Sequence, residues 1–364
     1  MNKKNRSILF YCLFALLASA ALLVAARFKA GFAEGYARNI FPFFPYTIGR
    51  LFSPLPFSVA ELLLAALAVG LGALFVYNIV MMIKGPAARA KLRRFWRALE
   101  PRLAVFCCSL LLIYTLTCGI NYSRASVAVT LGLQPRPCSQ QDLRLLVFLL
   151  SEETSQAAME IHTDSEGYFS LPKDPREPAR AAMRRVGGAY EPLYAFYPRP
   201  KPVVFSLGLS YLNIAGIYSP FTVEANYNRL MPPSDIPFSI CHELAHLGGY
   251  AREDEANFIA FFACRVSGDS DFVYSSLLNA LTYVLNALYT EIPPAQYREL
   301  YQELPAQAQR DLQNNADYWH NFRGPAAELS RSVNDMYLKA NNQPEGVKSY
   351  GRMVDLLAAY YIRD

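Results

Sequence analysis

Three apolar runs near the start of the chain limit its fold more than any other feature: Ile8 to Ala26, Phe57 to Ile83 and Leu103 to Ile120. Each is long enough to cross a bilayer, which takes roughly 20 residues of helix. None carries a charge in its middle, and only Glu61 stands near the start of the second. The overall hydrophobic content of 53% is concentrated here, and the remainder reads as a mixed globular sequence. The chain therefore divides into a membrane region, residues 1–120, and a globular region, residues 121–364.

Basic residues set the expected orientation, because they are retained on the cytoplasmic side. Lys3, Lys4 and Arg6 precede the first run. Seven basic residues, Lys84, Arg89, Lys91, Arg93, Arg94, Arg97 and Arg102, lie between the second and third runs, against four between Arg27 and Pro56. This pattern predicts a multi-pass protein of the cell (inner) membrane, with its N-terminus in the cytoplasm and its C-terminal domain outside. Ala18, Ser19 and Ala20 resemble a signal-peptide cleavage site, but the apolar run continues past them, which favours an uncleaved anchor. The aromatic segment with Phe41, Phe43, Phe44 and Tyr46 is expected to lie on the outer bilayer surface.

The net charge of +5 arises largely from the segment Lys84 to Arg102, so the globular part offers no basic face for nucleic acid. Of the seven cysteines, Cys12, Cys107, Cys108 and Cys118 lie within apolar runs, and no CxxC pair occurs. Cys138, Cys241 and Cys264 remain, and they read as free thiols.

From Asn121 onward the apolar period is mainly helical. Ser139 with Asp142 predicts a capped helix running to about Ile161. Pro178 to Tyr197 reads as a helix, Pro202 to Leu207 and Phe221 to Asn228 as short strands. After Pro232, helices are expected from Asp235 to Leu247, Arg252 to Val266, Asp271 to Tyr289, Pro294 to Leu304, Ala306 to Phe322, Ala326 to Ala340 and Gly346 to Tyr361. The fold class expected is mainly α with a small β element.

Two of the four histidines form the sequence His242, Glu243, Leu244, Ala245, His246. On a helix, positions i and i+4 share a face, so both imidazoles can reach one ion. Glu243 adjoins the first of them and can take a proton from a metal-bound water. A catalytic zinc takes three protein ligands and leaves one position open. The second helix opens with Glu253, Asp254, Glu255, Ala256 and Asn257, which supplies two candidates for the third ligand, Glu253 and Glu255. Asn257, one turn from Glu253, can orient a ligand imidazole from behind. His162 and His320 read as packing residues. A strand at Phe221 to Asn228, if it lies at a sheet edge, can pair with an extended peptide.

The motif followed by Glu253 to Asn257 resembles the gluzincin pattern. The longer stretch is similar to an uncharacterised family of three-span bacterial membrane proteins with an outward zincin-like (α+β) metallopeptidase domain. The similar segments are Ser219 to Asn226, the motif itself, Tyr337 to Asn341 and Ser349 to Arg352. The resemblance implies Zn2+ as cofactor and peptide or protein as substrate. It also implies Tyr350 and Arg352 as candidates to stabilise the oxyanion. It departs from the gluzincin pattern in the short gap between His246 and Glu253. A non-catalytic membrane protein whose zinc domain is structural or sensory is the competing expectation. A transporter is disfavoured, because the spans lack interior charge pairs.

Overall fold

The computed structural model describes residues 3–190, 193, 195–344, 346 and 352–362. Its elements in chain order begin with α1 (Lys3–Phe28), α2 (Phe32–Asn39), α3 (Arg50–Phe52), α4 (Val59–Ile83), α5 (Pro86–Thr117), α6 (Val127–Leu131), α7 (Gln140–Ala157) and α8 (Arg176–Ala189). Then come β1 (Lys201–Pro202), α9 (Ser206–Tyr211), β2 (Gly216–Ser219), β3 (Glu224–Tyr227), α10 (Ile236–Leu247), α11 (Glu253–Arg265) and α12 (Ser270–Tyr289). The chain closes with α13 (Pro294–Gln302), α14 (Ala306–His320), α15 (Pro325–Ala340) and α16 (Met353–Tyr361). The architecture is mainly helical with one three-stranded sheet.

Helices α1, α4 and α5 are long and apolar enough to cross a membrane. The third differs from the sequence expectation. The basic segment is not a loop: it forms the first half of α5, and only Lys84 and Gly85 separate the two helices. Pro86 at the first helical position and a run of Ala, Arg, Lys and Leu explain this, since all of these start or sustain a helix. Gly85, at φ 98°, makes the reversal that a side chain would oppose.

The expected surface segment after α1 also departs from the prediction. Phe41 is buried against Ala26, Tyr36 and Ile120, and Phe44 packs beside it. Phe43 remains exposed. The segment is thus a wedge between the spans and the globular part. Only some of its aromatics face outward.

The sheet order is β1-β3-β2, with β1 parallel and β2 antiparallel to β3. The expected strand at Pro202 to Leu207 is two residues long, and Ser206 onward is helix α9. The sequence pattern did not suggest β2. β3 is the central strand and buried along its whole length, so the idea of a substrate-pairing edge at Phe221 to Asn228 is corrected: the edges are β1, two residues long, and β2.

The main core joins α7, α8, α10, α11, α12 and α16. Ser139 and Asp142 cap α7 reciprocally, as the spacing predicts. α11 is buried along nearly its whole length, with Phe258, Phe261 and Phe262 packed on Tyr360. α10 lies between α11 on one side and β2 and β3 on the other.

Two buried charges join the globular part to the helix α4 and the segment before it. Glu224 of β3 accepts the backbone N–H groups of Val59 (3.2 Å) and Ala60 (2.9 Å), at the positive end of α4. Lys201 donates to the carbonyls of Phe52 (2.9 Å), Ser53 (3.2 Å) and Leu55, which lead into α4.

Candidate metal centre

His242 and His246 stand one turn apart on α10, with ring centroids 4.5 Å apart and planes at 86°. Gly248 and Gly249 end that helix, and Gly249 adopts φ 87°. This left-handed turn brings the Tyr250 carbonyl back to Nδ1 of His246 at 2.8 Å. The bond holds the ring and leaves Nε2 facing the opposite way. The chain then enters α11, whose first residue is Glu253.

Oε2 of Glu253 lies 3.3 Å from Nε2 of His242 and 3.5 Å from Nε2 of His246. Among the described residues, these three side chains form a group whose donor atoms all lie within 4.8 Å of one another. Zinc bonds of about 2.0–2.1 Å at tetrahedral angles place neighbouring ligand atoms about 3.3 Å apart. The observed spacings match that value and exceed the usual N–H···O range of about 2.7–3.2 Å. The donor set therefore fits a divalent ion.

Burial works to raise the Glu253 pKa, but the two imidazoles hold it well below the usual carboxylate range. Burial opposes the charge on His246, yet the Glu253 carboxylate lifts its pKa to about 9. One carboxylate and two imidazole nitrogens thus converge in a nearly closed space.

Glu243 is buried beside them, and Oε2 has no hydrogen-bond partner among the described residues. Such an orphaned atom costs free energy unless a further group occupies the site. Burial pushes its pKa up to about 7, against the pull of His242 and His246. The carboxylate rests against β2, beside Gly216 and the backbone of Tyr218. A Cβ built on Gly216 would fall 2.6 Å from Oε1 and 2.7 Å from Cγ of Glu243. Glycine at 216 is what lets the strand and the carboxylate meet. Sequence reasoning missed both Gly216 and Tyr218, because β2 is only four residues long and carries no alternating signal.

Glu255 is turned elsewhere. It accepts from the Val127 N–H (2.9 Å) and from Arg252 (2.5 Å), so it ties α11 to α6. Asn257 is buried beside the Tyr283 hydroxyl, and its amide nitrogen bonds to neither imidazole among the described residues. Nδ1 of His242 likewise has no partner there. Arg352 reaches α11 at Asp254 (3.3 Å) and bonds to Gln343 (3.2 Å). Tyr350 lies outside the described residues. His162 pairs with Asp271 at 3.1 Å, and His320 ends α14; neither joins the donor group. All seven cysteines are free, and Cys241 and Cys264 are buried.

The group sits against the ends of the long apolar helices. The Tyr218 hydroxyl donates to the carbonyl of Thr117, the last residue of α5 (3.1 Å). Cys118 and Tyr122 pack on Ala251, two residues before Glu253. Arg124 lies over the Tyr250 ring at 4.0 Å and bonds to Glu34 and to the carbonyls of Gly248 and Gly249. The Tyr337 hydroxyl meets those of Tyr114 (3.2 Å) and Tyr122 (3.3 Å). The late Tyr337 to Asn341 segment therefore docks on the end of α5.

The profile of a family described as "Protein of unknown function (DUF3810)" matches residues 36–358. The chain belongs to this family. The match takes in α4 and α5, the sheet, the His–Glu group and all but the last residues of α16. No curated protein and no solved structure matches the chain.

Proposed function

We propose that this protein is a membrane-anchored, zinc-dependent peptidase with a zincin-like domain outside the cytoplasm. The observation that carries the reading is the approach of His242, His246 and Glu253 at ligand spacing, with the buried Glu243 carboxylate beside them. His242, His246 and Glu253 would hold the ion. When bound, zinc lowers the pKa of its water to about 7 and polarises a carbonyl. Glu243 takes a proton on Oε2 and later delivers it to the leaving amine. Burial of Glu243 favours its protonated form and so aids proton uptake. Asn257 lies one turn behind Glu253 and helps to fix α11 rather than an imidazole. Arg352, held on Asp254, supports the first turn of α11. Tyr350 stays a candidate oxyanion donor through the family pattern alone.

The free edge of β2 supplies the substrate-pairing surface in this reading. An extended peptide adds to such an edge through main-chain hydrogen bonds. That edge runs past Glu243 and adjoins the end of α5, so substrates whose scissile bond lies close to the membrane face are favoured. The concentration of basic residues beyond the opposite ends of the spans supports the outward orientation.

The test uses the full chain purified in detergent. Wild type and Glu243→Gln should each carry about one zinc per chain. Only wild type should hydrolyse an unstructured polypeptide. Equal hydrolysis by both would remove Glu243 from the reaction. Stoichiometric zinc with no hydrolysis of any peptide would favour the structural or sensory alternative.

A further inference from the structure

The most unusual surface of the domain surrounds α9. This short helix has its polarity inverted. Ser206 and Ser210 are fully buried: Ser206 donates to the Val203 carbonyl (2.7 Å), and Ser210 shares a hydrogen bond with the Tyr318 hydroxyl (2.6 Å). Asn228 adds a further bond to Ser210 at 2.9 Å. The apolar residues point outward instead. Phe205 is 71% exposed and Val204 64%, and Leu207, Tyr211 and Leu212 are exposed with them. Gly208 has no side chain, and the Phe205 ring takes the space that one would fill. A helix that buries hydroxyls and displays aromatic and aliphatic groups is arranged for a medium other than water.

The backbone at this surface is fixed to the start of a long apolar helix. Glu61, in the first turn of α4, accepts the N–H groups of Val204 (2.9 Å) and Phe205 (2.6 Å). Leu62 and Leu63 of the same helix are exposed just beyond it. At 1.5 Å per residue, α4 is about 37 Å long. A hydrocarbon layer of about 30 Å leaves roughly a turn of it at the interface. The charged Glu61 belongs to that turn, so Val204 and Phe205 stand at headgroup level. The exposed side chains of Val204 and Phe205 therefore stand beside the first turn of α4.

We propose that Val204, Phe205, Leu207, Tyr211 and Leu212 form a foot that inserts into the domain-side leaflet of the bilayer. The occupant of this surface is lipid. Tyr211 and Phe205 have the amphipathic or aromatic character that favours the interfacial zone. The foot makes a further contact between the globular domain and the membrane, besides the spans. It fixes the domain's height and tilt. It does not depend on the chemistry proposed for the His–Glu group.

The test is fluorescence quenching of the full chain reconstituted in lipid vesicles. Tryptophan is introduced by Phe205→Trp or, separately, Leu207→Trp, and each signal is read as the difference from wild type. Met159→Trp, at the exposed end of α7, is the comparison. The expected result is that lipid brominated high on its acyl chains removes most of the added emission at 205 and 207. Aqueous iodide should leave that emission largely unchanged, and the Met159→Trp signal should show the reverse. Iodide quenching at 205 and 207 without bromine quenching would overturn the proposal. Protection from both quenchers would also overturn it, because a second protein copy rather than lipid would then cover the face.

Discussion

Replacing Glu224 with alanine tests how the globular part is joined to the long apolar helices. Glu224 is 2% exposed and accepts two backbone N–H groups in the first turn of α4. Hydrogen bonds to a charged acceptor contribute about 1.5–3 kcal/mol each. The longer bond, to Val59 at 3.2 Å, belongs at the lower end. Water can reach part of the exposed turn in the variant and offsets some of the loss. Lys201 adds to it: burial lowers its pKa, and Glu224 is the charge that opposes this. A net loss of about 3–4 kcal/mol follows. For a domain of this size, that corresponds to a fall in melting temperature of about 6–16 °C. Thermal unfolding of the full chain in detergent measures it. Glu224→Gln, which keeps one acceptor oxygen, should fall between wild type and the alanine variant. Lys201→Met combined with Glu224→Ala should cost less than the two single changes added, because the charges are coupled. A fall of less than about 2 °C for Glu224→Ala would refute the reasoning, since it would equal at most one weak neutral hydrogen bond.

Further outcomes follow from other sites. Gly216→Ala should cut any peptide hydrolysis by about 100-fold or more while zinc content stays at the wild-type level, because the new methyl displaces the Glu243 carboxylate; loss of zinc instead would mean that the whole site had shifted. Asp235 is buried, which pushes its pKa up to about 6, against bonds from Asn315 and Asn279. A carboxyl raised in the folded state favours folding below its unfolded pKa of about 3.9 and loses that advantage as the pH rises to about 6, by roughly 3 kcal/mol. Melting temperatures of wild type and Asp235→Asn should therefore diverge across that window, and a constant difference would contradict the assignment. Met159→Cys should react with an impermeant maleimide from outside intact spheroplasts, and Ala87→Cys should not; the opposite pattern would reverse the orientation.

The sequence reveals the parts of this fold that depend on period and local capping. The three long apolar helices, the Ser139–Asp142 cap of α7 and the helices from α10 to α15 all follow from such signals. The pairing of His242 with His246 follows from helical spacing alone. What was hidden depends on contacts distant in sequence. The Gly249 turn and the Val127 N–H together decide that Glu253 faces the imidazoles while Glu255 faces α6. Helix geometry at the start of α11 favours Glu253 and leaves Glu255 as the alternative. The strand order was equally hidden, because Phe221 to Asn228 has the composition of an edge strand, yet β2, four residues long, takes the outer place. Phe41 reads as a membrane-interface aromatic until Ala26, Tyr36 and Ile120 close around it. The basic run read as a loop because charge outweighs helix propensity in such an argument, although nothing in it opposes a helix.

The most direct measurement of the central claim is X-ray absorption at the zinc edge of the full chain, purified without chelators and loaded with one equivalent of zinc. The account predicts two imidazole nitrogens at about 2.0–2.1 Å, with oxygen completing the shell and no sulfur at about 2.3 Å. His242→Ala and Glu253→Ala should each lose bound zinc, and Glu255→Ala should keep it. Zinc held by sulfur, or zinc retained when His242 or Glu253 is removed, would contradict it.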